Sequence, residues 1–536
     1  MRNNHYRRIL AAMMAPGFYP HRVEDIARRE THISTVFLTG PFVYKVKKPV
    51  NLGFLDFSTF EKRTHYCRRE VKLNRRLSSG VYLDAVPITC REGKYTLNGI
   101  GETVETVIKM RQLKDADAML LRLKQDALTD EKICALVDRL VDFYARSPSV
   151  DTPQAPGIPA WEGNLQSMGP FVGSIIAPPP FAFVSSASKA FYRRRQALFQ
   201  KRRKNGKIKD GHGDLRCDHI YFASDGIQVI DCIEFNRSMR ILDIISDLAF
   251  LAMDLEYNGF LRQARLVIRE YINRSNDFGA LPLLDFYRCY RAMVRCKVNC
   301  FLLREIDLST FRRRSLQAAV DDYLNLAHGY ASSFSRPTLW MVCGLPASGK
   351  STIARALAEV HDLDVIGSDV VRKNLFSRCE NPDANTGFES GLYSAHATEV
   401  TYKTLFSSAR EMLKKGLSVI IDATFSRDIY RREALRLAAD TQARPVFVAC
   451  RASDALLAER LRRRETQPSV SDARLIHLER FKRRFTPLTR MAPAIHIPVD
   501  TKQSLVDCLR QILLSEALWP STDTDGSVMK GGNDHV

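Results

Sequence analysis

Eight contiguous residues, Gly344-Leu345-Pro346-Ala347-Ser348-Gly349-Lys350-Ser351, follow an apolar run at 338–343 and precede a helical pattern that Thr352 opens. The spacing is G-x-x-x-x-G-K-S, and its chemistry is phosphate binding. Glycines let successive backbone N–H groups turn toward an anion, the helix N-terminus adds its positive end, and Lys350 brings a full charge to the β- and γ-phosphates of ATP. The Ser351 hydroxyl is then a ligand for Mg2+; a plain glycine turn is the alternative. The next apolar run, 417–422, ends on Asp422, placed as the aspartate that supports such a metal. Between them Asp369 precedes Arg372 by one helical turn. That spacing suits a carboxylate that takes a hydroxyl proton beside an arginine that clamps an anion, or equally a helix N-cap followed by a surface arginine. Arg460 and Arg464, at i and i+4 in an arginine-rich helical stretch, either close over the transferred phosphate or form a solvated basic face.

A second set of chemically suited residues lies in the first half. His212-Gly213-Asp214 is followed seventeen residues later by Asp231, at the end of the strand expected at 227–230. An aspartate on a loop can orient an acceptor hydroxyl, and one at a strand end can carry Mg2+. Upstream, the β-type run 42–46 carries Lys45, a candidate phosphate-binding lysine, and Glu70 on the following helix can pair with it and fix its direction. Lys47 or Lys48 can take the place of Lys45.

The elements that must position these groups fall into two unlike halves. Short β-type runs at 35–38, 42–46 and 103–110 flank a helical stretch at 58–77, a hairpin is expected at 220–233 around Ser224-Asp225-Gly226, and helices dominate the rest of the first half. After a Ser/Pro seam at 332–337, apolar strands at 338–343, 417–422 and 445–450 alternate with amphipathic helices, which predicts a parallel sheet wrapped by helices. The expected domains are 1–331, a linker 332–337, 338–516, and a polar disordered tail 517–536. The Pro/Gly-rich stretch 147–180 reads as a long loop inside the first domain.

The chain has 536 residues, 45% hydrophobic and 26% charged, enough for several folding units and unlike a disordered or fibrous protein. With no long apolar run and no convincing secretory signal, the expectation is a cytoplasmic protein without a membrane partner. Its formal net charge of +20 favours phosphorylated small molecules or nucleic acid, although solvated basic helix faces account for the charge as well. The twelve cysteines are scattered without a C-x-x-C pair, as buried free thiols would be.

Both halves carry family resemblances. Gly344 to Ser351, Ser368-Asp369-x-x-Arg372, Asp422-Ala-Thr-Phe425, and the arginine-rich stretch followed by Ser471-Asp472-Ala473 resemble the small P-loop kinases related to gluconate kinase, zeta toxin and polynucleotide kinase, over about 338–490. That resemblance implies that Asp369 activates the acceptor hydroxyl and that the lid arginines steady the γ-phosphate. His212-Gly213-Asp214-Leu215, Asp231, Arg240-Ile-Leu-Asp243 and Ser246-Asp247-Leu-Ala249 resemble the aminoglycoside phosphotransferase and choline kinase branch of the protein-kinase-like fold, over about 34–330. There Asp214 would be the catalytic aspartate and Asp231 the metal ligand. The family's asparagine five residues after the catalytic aspartate is His219 in this chain, and imidazole is a poorer Mg2+ ligand than a carbonyl oxygen. No G-x-G-x-x-G covers the nucleotide. In this order the halves resemble bacterial proteins described as bifunctional aminoglycoside phosphotransferase and ATP-binding proteins. The resemblances imply an α/β and α+β chain with a bilobal kinase-like domain before a P-loop domain. They imply transfer of phosphate from ATP to a hydroxyl of a small molecule. A nucleic-acid 5′-hydroxyl kinase, and an ATP-gated regulatory protein with a pseudokinase half, are the alternatives.

Overall fold

A computed structural model describes residues 2–51, 53, 55–150, 159–304, 308–376, 394–465, 474–486, 488 and 493–518. Expectations for Ser471-Asp472-Ala473 and for the tail beyond 518 lie outside these residues. The chain forms two compact units, one of Met1–Lys189, Phe199–Ser275 and Leu284–Ala331, the other of Ala190–Leu198, Asn276–Leu283 and Ser332–Val536.

The first unit begins with an antiparallel sheet of β1 (Ala27–Glu30), β2 (Ser34–Leu38), β3 (Phe42–Lys47), β4 (Tyr82–Arg91), β5 (Lys94–Leu97) and β6 (Glu102–Arg111), in the order β1-β2-β3-β6-β4-β5. Side chains alternate across a strand, so β3 serves two faces. Tyr44 and Val46 join the helix Arg2–Met13 in one apolar cluster, whereas Val43 packs with Cys67 and Val71 of the helix Phe60–Asn74 in the other. Lys45 and Lys47 share the parity of Val43 and therefore face the second helix. Two small ribbons follow, β7 (Ile208–Asp210) with β10 (Ile241–Asp243) and β8 (Ile220–Ala223) with β9 (Gly226–Val229). A helical lobe surrounds Ile244–Tyr257, whose residues are buried from Ile244 to Leu255. This sheet with a helix packed on each face, the paired ribbons and the helical lobe make up a bilobal kinase-like fold.

The stretch 147–180 departs from the expected long loop. Outside 151–158 it contains the helix Ala160–Ser167 and the start of the helix Pro178–Arg194. Pro178, Pro179 and Pro180 occupy a first helical turn, where the missing N–H costs nothing. Read as breakers, these prolines in fact start a helix.

In the second unit β11 (Thr338–Cys343), β12 (Asp364–Gly367), β13 (Val419–Asp422), β14 (Arg444–Arg451) and β15 (Ile495–Asp500) form a parallel sheet in the order β12-β13-β11-β14-β15. Central β11 is buried at every residue. The edge strands lack a clear sequence signal, because β12 has four residues and β15 contains Pro498, which an edge tolerates. No helix among the described residues is long and apolar enough to cross a membrane.

His361 ends the helix Lys350–His361, buried against Trp340 at a ring separation of 5.3 Å. Burial, with Arg195 and Arg444 adding to it, pushes its pKa down from 6.5 to about 3. The folded form therefore holds neutral imidazole, and stability present above pH 6.5 is lost as pH falls toward 3. The expected slope is roughly 1.4 kcal/mol per pH unit in that window. Urea unfolding of His361→Leu should lose that slope, and an unchanged pH profile would refute the assignment.

Candidate active site

The phosphate loop leaves β11 through Gly344, at φ 142°, where a Cβ would come within 2.4 Å of the Cys450 carbonyl oxygen and 2.7 Å of Ser348 Oγ. Only glycine fits there. Gly344 N–H donates to Thr424 O at 3.3 Å, tying the loop to the segment after β13. Leu345, Pro346, Ala347 and Ser348 complete the turn, Gly349 caps the helix Lys350–His361, and Ser351 and Thr352 lie exposed in its first turn. Lys350 Nζ folds back and donates to Leu345 O at 2.8 Å, across the loop whose backbone and helix N-terminus suit a phosphate.

Strand register assembles the rest. Asp422 stands opposite Val342 on β11 and Gly367 on β12, so the carboxyl ends of three strands meet beside the loop. Burial raises the Asp422 pKa, opposed by Lys350 and by a hydrogen bond with Ser351. Asp369 begins the helix Ser368–Phe376 and forms an ion pair of 3.2 Å with Arg372. Arg372 is thus turned onto the carboxylate it was expected to assist. Burial pulls the Arg464 guanidinium down and Asp369 opposes that, which places Arg464 in the field of Asp369 and Asp422. These oxygen donors, Ser351 and Asp422, fit Mg2+.

Arg460 differs from the expected lid arginine. Its Nη1 donates to Ala347 O at 3.2 Å and Thr501 Oγ1 at 3.0 Å, and its Nη2 donates to Thr501 O at 2.7 Å. The helix Asp454–Glu465 packs Leu457 and Leu461 against Ala347, which brings Arg460 to the Ala347 carbonyl. Arg460 therefore fastens the phosphate loop to the turn after β15, and Thr501, only 3.3 Å from a Cβ built at Gly349, is a site residue that sequence reasoning missed. Its one signal was a polar Asp500-Thr501-Lys502 after an apolar strand. Arg460→Ala should weaken ATP binding about tenfold, the scale of a charged hydrogen bond. Arg464→Ala should instead lower the rate of transfer with little change in KM. Steady-state kinetics separates the two, and identical effects would contradict these roles.

In the kinase-like unit Lys45 Nζ lies 2.9 Å from Glu70 Oε1 and 2.8 Å from Asp231 Oδ1. Lys47, treated as a substitute for Lys45, is a second member: its buried ammonium pairs with Glu70 Oε2 at 2.6 Å and with Glu234. Glu70 thus orients two lysines with its two oxygens. Lys48 points elsewhere, to exposed Glu30 at 2.9 Å. Burial pushes the Asp231 carboxyl up, but Lys45 and the hydrogen bonds from Lys45 and Tyr82 outweigh it and hold the group well below the usual carboxylate range.

The loop bearing Asp214 is held from below by Asp247, which is fully buried in the first turn of Ile244–Tyr257. His212 N–H donates to Asp247 Oδ2 at 2.7 Å and Gly213 N–H to Oδ1 at 2.9 Å. Gly213 has φ 88°, and a Cβ there would meet Ile233 Cδ1 and Met239 O at 3.1 Å. Asp214 Oδ1 accepts from Arg216 Nε at 3.1 Å. Burial raises the Asp214 pKa, yet Arg216 reverses this and keeps it ionised.

His219, expected as a metal ligand, is committed otherwise. Guanidinium only donates, so Arg216 Nη2 at 2.9 Å occupies the Nε2 lone pair, leaving Nδ1–H to donate to Asp214 O at 2.9 Å. Neither nitrogen is left to ligate a metal, and His219 steadies the Asp214 loop. The oxygen set of Asp231 still suits Mg2+, with the Lys45 ammonium already a cation beside it.

Fold and sites define a kinase-like domain joined to a P-loop nucleotide-binding domain. Residues 339–488 match the AAA domain family AAA_33. Over 451 residues the chain is 33% identical to the uncharacterized protein Rv2004c of Mycobacterium tuberculosis H37Rv, covering 82% of this chain and 87% of that protein; Mb2027c of Mycobacterium bovis matches to the same extent. The chain belongs to the family of these mycobacterial proteins. Similar solved structures include a putative kinase from Chloroflexus aurantiacus J-10-fl, with 26% identity, 33% of this chain and 92% of that chain covered, and a TM-score of 0.27. Another is a choline/ethanolamine kinase family protein from Mesorhizobium loti, with 12% identity, 61% and 100% covered, and a TM-score of 0.36. A gluconokinase from Sinorhizobium meliloti 1021 has 19% identity, 34% and 91% covered, and a TM-score of 0.24.

Proposed function

We propose that the chain is an ATP-dependent phosphotransferase whose P-loop domain transfers the γ-phosphate to a hydroxyl of a small molecule, joined to a nucleotide-binding kinase-like domain. The observation that carries this reading is the register placing Asp422 opposite both Val342 and Gly367, which supports one shared site for the phosphate loop, a metal-supporting carboxylate and Asp369. When bound, Mg2+ with ATP supplies charge neutralisation at the β- and γ-phosphates. Lys350 would leave Leu345 O for the phosphates, and Ser351 and Asp422 would hold the metal. Asp369, its second oxygen steadied by Arg372, orients the acceptor and takes the hydroxyl proton, while Arg464 faces the charge that develops.

For the kinase-like domain the Lys45–Glu70 pair and Asp231 favour nucleotide binding. Asp214 is tied to Arg216 and its neighbour His219 is engaged at both nitrogens, which favours a binding or regulatory role there over independent turnover. Wild-type, Asp369→Asn and Asp214→Asn proteins, given γ-labelled ATP with either a metabolite pool or 5′-hydroxyl oligonucleotides, test both assignments. The expected result is labelled small product that disappears in Asp369→Asn and persists in Asp214→Asn. Label on oligonucleotides alone would replace the acceptor class with nucleic acid, and transfer that survives Asp369→Asn would overturn the reading.

A further inference from the structure

Asp231 is held in an unusual backbone state. Its φ is 61°, a left-handed conformation that costs a non-glycine residue on the order of 1–3 kcal/mol unless its surroundings impose it. Those surroundings are visible at four successive N–H groups. Ile230 N–H donates to His219 O at 2.9 Å and Ile233 N–H to His212 O at 3.2 Å, both backbone partners on the Asp214 loop. Between them Cys232 N–H donates to Asn74 Oδ1 at 2.9 Å, and Asp231 N–H donates to the Tyr82 hydroxyl at 3.2 Å. The same hydroxyl donates to Asp231 Oδ1 at 3.3 Å. Tyr82 thus grips both the backbone and the carboxylate of one residue 149 positions away.

Tyr82 itself has little freedom. It opens β4 at a register shift between Tyr82 and Asp84, an irregularity of the kind that re-aims a side chain. Its carbonyl accepts from Arg75 Nε at 2.9 Å, and its ring is buried among Cys67, Val71, Ile108 and Met110. Burial, with Asp231 adding to it, raises the phenol pKa well above 10, so the hydroxyl keeps the proton it donates.

We propose that Tyr82 is a positioning residue that holds Asp231 in its left-handed conformation and aims its free carboxylate oxygen at a metal ion. The inference rests on the reading of this domain as a nucleotide-binding one. Lys45, which would meet the phosphate, is also held by Glu70 Oε1 at 2.9 Å, a contact that does not pass through Tyr82, so the role predicts a split. Losing the hydroxyl raises the metal requirement and leaves metal-free nucleotide affinity nearly unchanged.

The test uses full-length protein carrying Lys350→Met and Asp422→Asn, which silence the P-loop site, with a fluorescent ATP analogue as nucleotide probe and Mn2+ followed by electron paramagnetic resonance. Tyr82→Phe should raise the Mn2+ concentration at half-saturation roughly tenfold or more, the usual penalty for losing a partner of a metal ligand. Binding of the analogue without metal should change less than about twofold, since the lost hydroxyl does not touch it. An unmoved Mn2+ midpoint overturns the proposal while leaving the nucleotide site standing. An equal loss with and without metal assigns Tyr82 a merely structural role and overturns it too. If the parent protein binds no analogue at all, the nucleotide reading of the domain fails and takes the proposal with it. Should Tyr82→Phe not fold, Asn74→Ser loosens the same loop at Cys232 and is read by the same two midpoints.

Discussion

Full-length protein carrying Lys350→Met is expected to lose Mg·ATP affinity at the P-loop site by about 100-fold or more, the scale of roughly 3 kcal/mol for losing a hydrogen bond to a charged group. Neither the loop backbone nor the helix dipole replaces it, since both are already in place and carry only partial charges. The fold should be nearly indifferent. The Lys350 ammonium donates to Leu345 O, a single part-buried hydrogen bond within the loop, while the loop itself is held by the packing of Ala347 and Leu345. The thermal midpoint should therefore move by less than about 3 °C, the equivalent of roughly 1 kcal/mol for a domain of this size. Calorimetry reads the affinity and a melting curve the stability. Binding that survives Lys350→Met but disappears in Lys45→Met would move the principal nucleotide site to the kinase-like domain and defeat the proposed division of labour.

The second large effect is on stability. Asp247→Ala should cost the kinase-like domain about 3–5 kcal/mol, the range for removing one partner from a buried charged network. Four groups converge on that carboxylate: the His212 and Gly213 N–H groups, the Tyr144 hydroxyl at 3.2 Å and the Arg291 guanidinium at 3.8 Å. Alanine leaves the two N–H groups and the Tyr144 hydroxyl without that acceptor, while Arg291 keeps its bonds to Ser246 and Gly213 O. Asp247→Asn keeps the shape but presents an NH2 where an acceptor is needed, so it should still cost about 1–3 kcal/mol. Urea unfolding gives the energies, and hydrogen exchange should speed up first at residues 212 and 213. A loss below about 1 kcal/mol in Asp247→Ala would mean that the loop is held mainly by Arg291, which also donates to Gly213 O at 2.9 Å.

The two sites were legible in the sequence to different depths. The phosphate loop could be read residue by residue because its chemistry is done by contiguous backbone between one strand and one helix, so spacing and function are the same information. Asp422 stood out for a related reason, because it ends a short apolar strand and a parallel sheet brings such ends to one edge, whereas Asp369 was picked out only by its one-turn spacing from Arg372. Arg460 was misread because an arginine at i and one at i+4 look alike in sequence. Packing of Leu457 and Leu461 against Ala347 brought one to the Ala347 carbonyl, while Arg464 lies in the field of the carboxylates.

By itself the order of residues determined a P-loop half after a kinase-like half, the lysine–glutamate–aspartate–aspartate series of the latter, and the parallel sheet of the former. Those features are local, or follow from the period of the apolar pattern. Tertiary structure alone decided that Lys47 joins Lys45 through Glu70 and Glu234, that Asp247 pins the Asp214 loop, that His219 is spent on hydrogen bonds, and that Tyr82 grips Asp231. Each of these depends on a buried polar group finding its partner. Most of the partners lie tens to nearly two hundred residues apart, and His219 lies beside its own but has its lone pairs assigned only by the folded loop. Desolvation makes such groups costly to leave unpaired, yet it leaves no periodic trace along the chain.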